Sequence, residues 1–155
     1  MVQSTAREAR FWSKVNRDGP VPEYRPSLGP CWLWTAGCMR GGYGHFWTGA
    51  THHGAHRFAY ELLVGSIPDR LTLDHLCRNR ACVNPHHLEA VSDRTNILRG
   101  QGQSARNALK THCPQGHPYD LFNTGRGPDN RRICSICHEK HNRARVRNYQ
   151  ATTKK

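Results

Sequence analysis

Asp74 and His75 stand side by side, and Cys77, Cys82 and His87 follow within the next twelve residues. A histidine that takes a proton from water, next to a carboxylate that can hold a hard cation, is the minimal kit for metal-assisted hydrolysis of a phosphodiester. The spacing Cys77-x4-Cys82-x4-His87 points to different work. Thiols mixed with imidazole are donors that zinc prefers, so a separate, structural metal is expected beside the reactive pair.

The seven cysteines fall into two sets with one left over. Cys113-x3-His117 with Cys134-x2-Cys137 is complete, and its close pair lets one turn deliver two sulfurs where a disulfide would be strained. The first set has three ligands and needs a donor from upstream. Cys31, which opens the strand-like Cys31-Trp32-Leu33-Trp34, is preferred over Cys38, which lies in the glycine-rich turn 37–42. Two zinc ions are therefore expected, one on Cys31, Cys77, Cys82 and His87, the other on Cys113, His117, Cys134 and Cys137. A single spare thiol fits a reducing compartment.

The reactive pair needs elements to position it. Leu71-Thr72-Leu73-Asp74-His75 alternates like a strand, residues 78–85 should turn the chain back, and Ser92 can cap a helix that carries Asn96 one turn in. Strand, return and helix bring Asp74, His75 and Asn96 into one neighbourhood. Upstream, residues 5–15 read as a short helix with Phe11, Trp12 and Val15 on one face. Residues 16–30, with four prolines, read as an irregular loop, and 31–56 as short aromatic strands whose rings form core. Residues 56–64 read as a helix that stops at Gly65 with Pro68 beyond; Arg57 lies on its outer side, near a phosphate or simply solvated.

This gives an N-terminal helix and Pro-rich loop over 1–30, a core over 31–98, a linker over 99–111, a zinc-binding basic lobe over 112–149 and a structureless tail over 150–155. Within the lobe, residues 138–149 predict a basic helix whose Lys140, Arg143, Arg145 and Arg147 can touch a nucleic-acid backbone.

Composition agrees with many short elements: 36% of the 155 residues are hydrophobic, with 14 glycines and 9 prolines. The formal net charge of +12 favours a polyanionic partner, because basic side chains gain affinity by displacing counterions from phosphates. The charge is uneven: residues 1–98 hold 11 Lys and Arg against 8 Asp and Glu, whereas residues 99–155 hold 12 against 3. No apolar run approaches the roughly 20 residues needed to span a bilayer, and the N-terminus lacks a secretory signal, so a soluble, cytoplasmic protein is expected.

The run from Asp74-His75-Leu76-Cys77 through Asn84-Pro85-His86-His87-Leu88-Glu89, followed by Asn96, resembles the HNH endonucleases common in bacteriophages. Phe11-Trp12-Ser13-Lys14-Val15, Cys31-Trp32-Leu33-Trp34 and Gly42-Tyr43-Gly44-His45-Phe46 are similar to that group as well. The zinc spacing is similar to another branch, the His-Cys box homing endonucleases. The resemblance implies an α+β fold: a ββα-metal (HNH, or His-Me finger) nuclease core stapled by zinc, with a small C-terminal zinc-binding lobe. It implies double-stranded DNA as substrate, His75 as general base, Asp74 and Asn96 as ligands of a catalytic Mg2+ or Mn2+, and ends bearing 5′ phosphate and 3′ hydroxyl.

Position 87 departs from the plain phage pattern, where Asn is common, and His87 serves either zinc, the preferred reading, or the catalytic cation. One such site cuts one strand, so a double-strand break needs a homodimer or two visits. A noncatalytic zinc-containing DNA- or RNA-binding protein is the alternative, and it leaves Asp74, His75 and Asn96 unexplained. A module for binding other proteins predicts weak, salt-insensitive affinity for nucleic acid.

Overall fold

Thr5 starts the first helix, α1 (Ala6–Trp12), by accepting the Glu8 amide N–H on its hydroxyl at 3.3 Å. The structure, a computed structural model that describes residues 5–153, divides into two units, Met1–Gly100 and Gln101–Lys155. In the first, the helix ends at Trp12, short of the expected reach to residue 15. Val15 is β-branched and pairs instead with Trp34, joining β1 (Val15–Asn16) to β2 (Leu33–Trp34). The proline-rich connection between them is irregular apart from a 3-10 turn, Pro26–Leu28.

β3 (His45–Trp47) and β4 (His52–Gly54) form a hairpin that feeds α2 (Ala55–Leu63). The core of this unit is aromatic. Phe11 is fully buried, with Trp34, Phe46 and Phe58 ring centroids at 5.2, 5.1 and 4.8 Å. A Cβ at position 44 would sit 2.5 Å from the Trp34 ring, so only glycine lets the chain pass there.

β5 (Leu71–His75) and β6 (Leu88–Ser92) pair antiparallel, with Asp74 opposite Glu89 and His75 opposite Leu88. Ser92 then caps α3 (Asp93–Arg99) through the Thr95 amide, as its position predicts, and α3 packs on both strands. Two strands and a helix thus form the expected ββα unit.

In the second unit, α4 (Gln103–Leu109) occupies most of the segment read as a linker; Ala105 is its buried residue. A hairpin of β7 (Thr124–Arg126) and β8 (Arg132–Cys134) leads into α5 (Ser135–Thr153). This helix starts before residue 138 and runs on into the segment expected to lack structure. Residues 1–4 of the N-terminal segment and Lys154 and Lys155 of the tail lie outside the described residues. The protein is therefore α+β, built on two-stranded antiparallel sheets. Among the described residues no helix is long and apolar enough to cross a membrane.

Candidate active site and metal centres

The sulfur cluster of the first unit is assembled by β2 running along the segment that carries Cys82. Trp34 N–H donates to the Ala81 carbonyl at 2.9 Å and Val83 N–H to the Trp32 carbonyl at 2.7 Å. Cys31 is held in turn by its own N–H on the Pro20 carbonyl and by Gly19 N–H on its carbonyl. The ligand atoms of Cys31, Cys77, Cys82 and His87 all lie within 4.8 Å of one another, and all four residues are buried. Nδ1 of His87 is 3.6 Å from Cys31 Sγ and 3.5 Å from Cys82 Sγ. Zinc bonds of about 2.3 Å to sulfur and 2.0 Å to nitrogen require ligand separations of roughly 3.5–3.8 Å in a tetrahedron, so this donor set fits zinc.

His87 Nε2 lies 2.8 Å from the Leu28 carbonyl and donates its hydrogen there, which leaves the Nδ1 lone pair facing the sulfurs. The neighbouring His86 is exposed, and so is Cys38. Three buried thiols cannot all ionise without a cation. The Cys82 S–H holds Cys77 down to about 5, while burial and the Cys77 charge push Cys31 up to about 11. Cys82 itself is raised, first by that same bond to Cys77 and then by burial.

The second cluster is similarly close-set. His117 Nδ1 lies 3.4 Å from Cys113 Sγ, 3.2 Å from Cys137 Sγ and 3.7 Å from Cys134 Sγ, and the two sulfurs of Cys113 and Cys137 are 3.8 Å apart. These separations also match a tetrahedral zinc. Both Cys/His clusters can hold a zinc ion.

Asp74 and His75 are both buried at the end of β5. His75 Nε2 is 3.1 Å from the Cys82 carbonyl, and a hydrogen there leaves Nδ1 as the basic nitrogen. Burial pushes the His75 pKa below its ordinary value, against the opposing pull of the Cys77 thiolate. The Asp74 carboxylate lies 3.6 Å from Arg99 and 3.8 Å from Arg78, too long for hydrogen bonds, and its buried Oδ2 has no hydrogen-bond partner.

Asn96 is half-buried on α3, and among the described residues its side-chain amide makes no hydrogen bond within the protein. Arg99, at the end of the same helix, reaches Asp74 at 3.6 Å. Asn84 is a turn residue: its Oδ1 accepts the His86 N–H and its Nδ2 donates to the Pro30 carbonyl, both at 3.1 Å.

Four residues around this centre escaped the sequence reading. The rings of Tyr43 and His56 flank His75, each tilted 54° to it, with centroids 5.7 and 5.0 Å away. His56 is pushed down to about 3 by burial, then by His75 and Arg57, and its buried Nδ1 has no partner. Arg78, in the left-handed region at φ 56°, and Arg99 surround Asp74 with positive charge. Arg78 also donates to the Arg99 carbonyl, and Arg99 bonds Glu89 at 2.6 Å. For His56 the sequence offered only its place at a helix start.

Of the residues expected on a nucleic-acid surface, Arg57 is exposed on α2. Lys140, Arg143, Arg145 and Arg147 are exposed on α5, and three of them line a surface hollow with Asn142 and Val146. Arg143 also pairs with Glu139 at 3.4 Å.

Residues 53–98, from β4 through α3, match the HNH endonuclease family. Two phage proteins are similar over part of the chain. One is the uncharacterized gene 5.3 protein of Enterobacteria phage T3, 40% identical over 48 residues, which are 31% of this chain and 48% of that protein. The other is Protein 7.7 of Escherichia phage T7, 33% identical over 66 residues, which are 43% of this chain and 51% of that protein. The chain spans about half the length of the curated relatives it matches. No solved structure matches it. The resemblance to HNH endonucleases read from Asp74-His75 onward therefore holds over the segment that contains Asp74, His75 and Asn96.

Proposed function

We propose that this chain is a metal-dependent DNA endonuclease of the HNH type. One observation carries the reading: a buried imidazole, fixed through Nε2 on the Cys82 carbonyl, is adjacent in β5 to a carboxylate whose buried Oδ2 lacks a hydrogen-bond partner. The Arg99 guanidinium, 3.6 Å from that oxygen, is beyond hydrogen-bond reach, so a bound cation would satisfy a buried acceptor that the protein leaves unbonded. Asp74 and Asn96 would hold that cation, magnesium or manganese, which when bound neutralises charge growing on the phosphate and on the departing 3′ oxygen.

His75 does the proton chemistry. Held neutral near pH 7 by burial, it accepts a proton at Nδ1 from the water that attacks phosphorus in line. The 3′ oxygen leaves and takes a proton from solvent water, giving 3′ hydroxyl and 5′ phosphate ends. Arg57 and the cations of α5, Lys140, Arg143, Arg145 and Arg147, would bind phosphates of double-stranded DNA, and zinc in the two Cys/His clusters would hold the fold. The phage origin of the relatives supports a workplace in the cytoplasm of an infected bacterium. Cutting both strands would take two chains or two visits.

The test is supercoiled plasmid incubated with the zinc-loaded protein and Mg2+ or Mn2+. Nicked or linear product is expected, and His75→Ala should lower the rate by about 10²–10⁴-fold with DNA affinity retained. Plasmid left intact by a protein that binds it tightly would favour the noncatalytic alternative.

A further inference from the structure

In the second unit Leu121 and Phe122 stand side by side almost wholly in solvent, 96% and 95% exposed. Two large apolar side chains adjacent and set that far out make a contiguous apolar patch, the kind of surface that contacts use. Their backbone is firmly held. Asp120 Oδ1 accepts the N–H of Phe122 at 2.9 Å and of Asn123 at 2.7 Å. Asn123 is buried, donates through Nδ2 to the Pro118 carbonyl at 2.6 Å, and accepts the Ile136 N–H on Oδ1 at 3.0 Å. The same Oδ1 lies 3.3 Å from Cys134 Sγ. The turn that presents the pair is thus tied to a ligand of the second cluster and to the first turn of α5.

Charge decides which partner this pair meets. The carboxylate beside it, Asp120, is engaged by the turn's own amides. Of the next four charged residues along the chain, Arg126, Asp129, Arg131 and Arg132, three are basic, with Arg131 paired to Asp129 at 3.3 Å, and residues 99–155 hold 12 basic against 3 acidic side chains. A surface so basic repels a second copy of itself and attracts a polyanion. Among polyanions, duplex DNA is the one the reading above calls for, and its base steps open to Phe and Leu wedges from the minor groove.

We propose that Leu121 and Phe122 form an apolar wedge that enters a base step of duplex DNA while exposed cations of the same unit hold the phosphates. This rests on the DNA-directed reading above and adds a bending element outside the catalytic unit. Insertion unstacks one step and kinks the duplex, and it contributes affinity without releasing counterions.

The experiment uses the full chain carrying His75→Ala, so that DNA stays whole, and a duplex with 2-aminopurine placed across successive steps. Binding should raise the fluorescence at one step. Adding Leu121→Ser and Phe122→Ser should abolish that rise and weaken binding roughly tenfold or more, with the slope of log Kd against log salt and the zinc content unchanged. Arg143→Ala should instead reduce the salt slope by about one and keep the fluorescence rise. Tight binding with no fluorescence change at any step, or a double variant that binds and signals like its parent, overturns the wedge alone. A double variant that turns a dimer into a monomer with DNA affinity intact assigns the pair to a second copy and also overturns it. Failure of the parent chain to bind duplex at all overturns both the wedge and the DNA endonuclease reading.

Discussion

Nε2 of His75 and the main-chain carbonyl of Cys82 lie 3.1 Å apart, so the proposed base is oriented by a residue that also belongs to the first sulfur cluster. The same segment is zipped to β2 through Ala81 and Val83, which carries Cys31 into the cluster. Structure-giving and reaction-giving groups therefore share one short piece of chain.

Zinc removal should consequently stop cutting even when magnesium is abundant. Protein stripped with a strong chelator and returned to excess Mg2+ is expected to stay inactive, and to recover only when zinc is restored as well. Metal analysis should find two zinc ions per chain. Full recovery with magnesium alone would mean that His75 is positioned without the cluster.

The pH profile of cutting follows from the burial of His75. A general base must be neutral, and its pKa is lowered from the ordinary value of 6.5. The rate should be level from about pH 7 upward and fall as pH drops through a midpoint below 6.5. An acid limb centred above pH 7 would exclude His75 as the base.

His56 makes a prediction about stability. Its pKa is about 3 in the fold against 6.5 for an ordinary histidine, so between these values the unfolded chain binds the extra proton. Stability contributed at this position is complete above pH 6.5 and is lost as pH falls toward 3, by at most about 1.4 kcal/mol per unit. Replacing His56 by Phe removes that slope. Urea unfolding at pH 7.5 and 5.5 should show the variant gaining on the parent at the lower pH, and equal slopes would refute the assignment.

The two upstream cysteines should behave oppositely. Cys31→Ser removes a buried ligand and should cost one zinc and the folding of the first unit. Cys38→Ser, at an exposed thiol, should leave zinc content and Tm unchanged. Cys113→Ser should lose the other zinc and unfold the second unit, with limited proteolysis still yielding an intact fragment near residues 1–100.

The parts of this molecule that could be read from the chain are those whose reason is local. Leu71-Thr72-Leu73-Asp74-His75 alternates in residue type and forms a strand, although its last three residues are all buried; Ser92 carries its own cap, and the Cys/His spacings are near-neighbour patterns. What could not be read depends on partners distant in sequence. β1 is two residues long and exists because Val15 meets Trp34. α4 lacks an apolar stripe, so Gln103–Leu109 resembles a linker until Ala105 is seen buried. His56 and Tyr43 reach His75 only after α2 and the aromatic hairpin have packed, and no spacing announces that meeting.

The first cluster joins Cys31 to His87, 56 residues later, whereas the second joins Cys113 to Cys137 across 24. During translation these distances set a sequence of events. The N-terminal half must wait, open and thiol-bearing, until residue 87 has left the ribosome, and Asn96 follows only nine residues behind. The C-terminal loop, being shorter, closes at a smaller entropic cost once its last ligand emerges. A nascent chain would thus keep Asp74 and His75 without their helix until residue 96 emerges, and the unit would then assemble all at once.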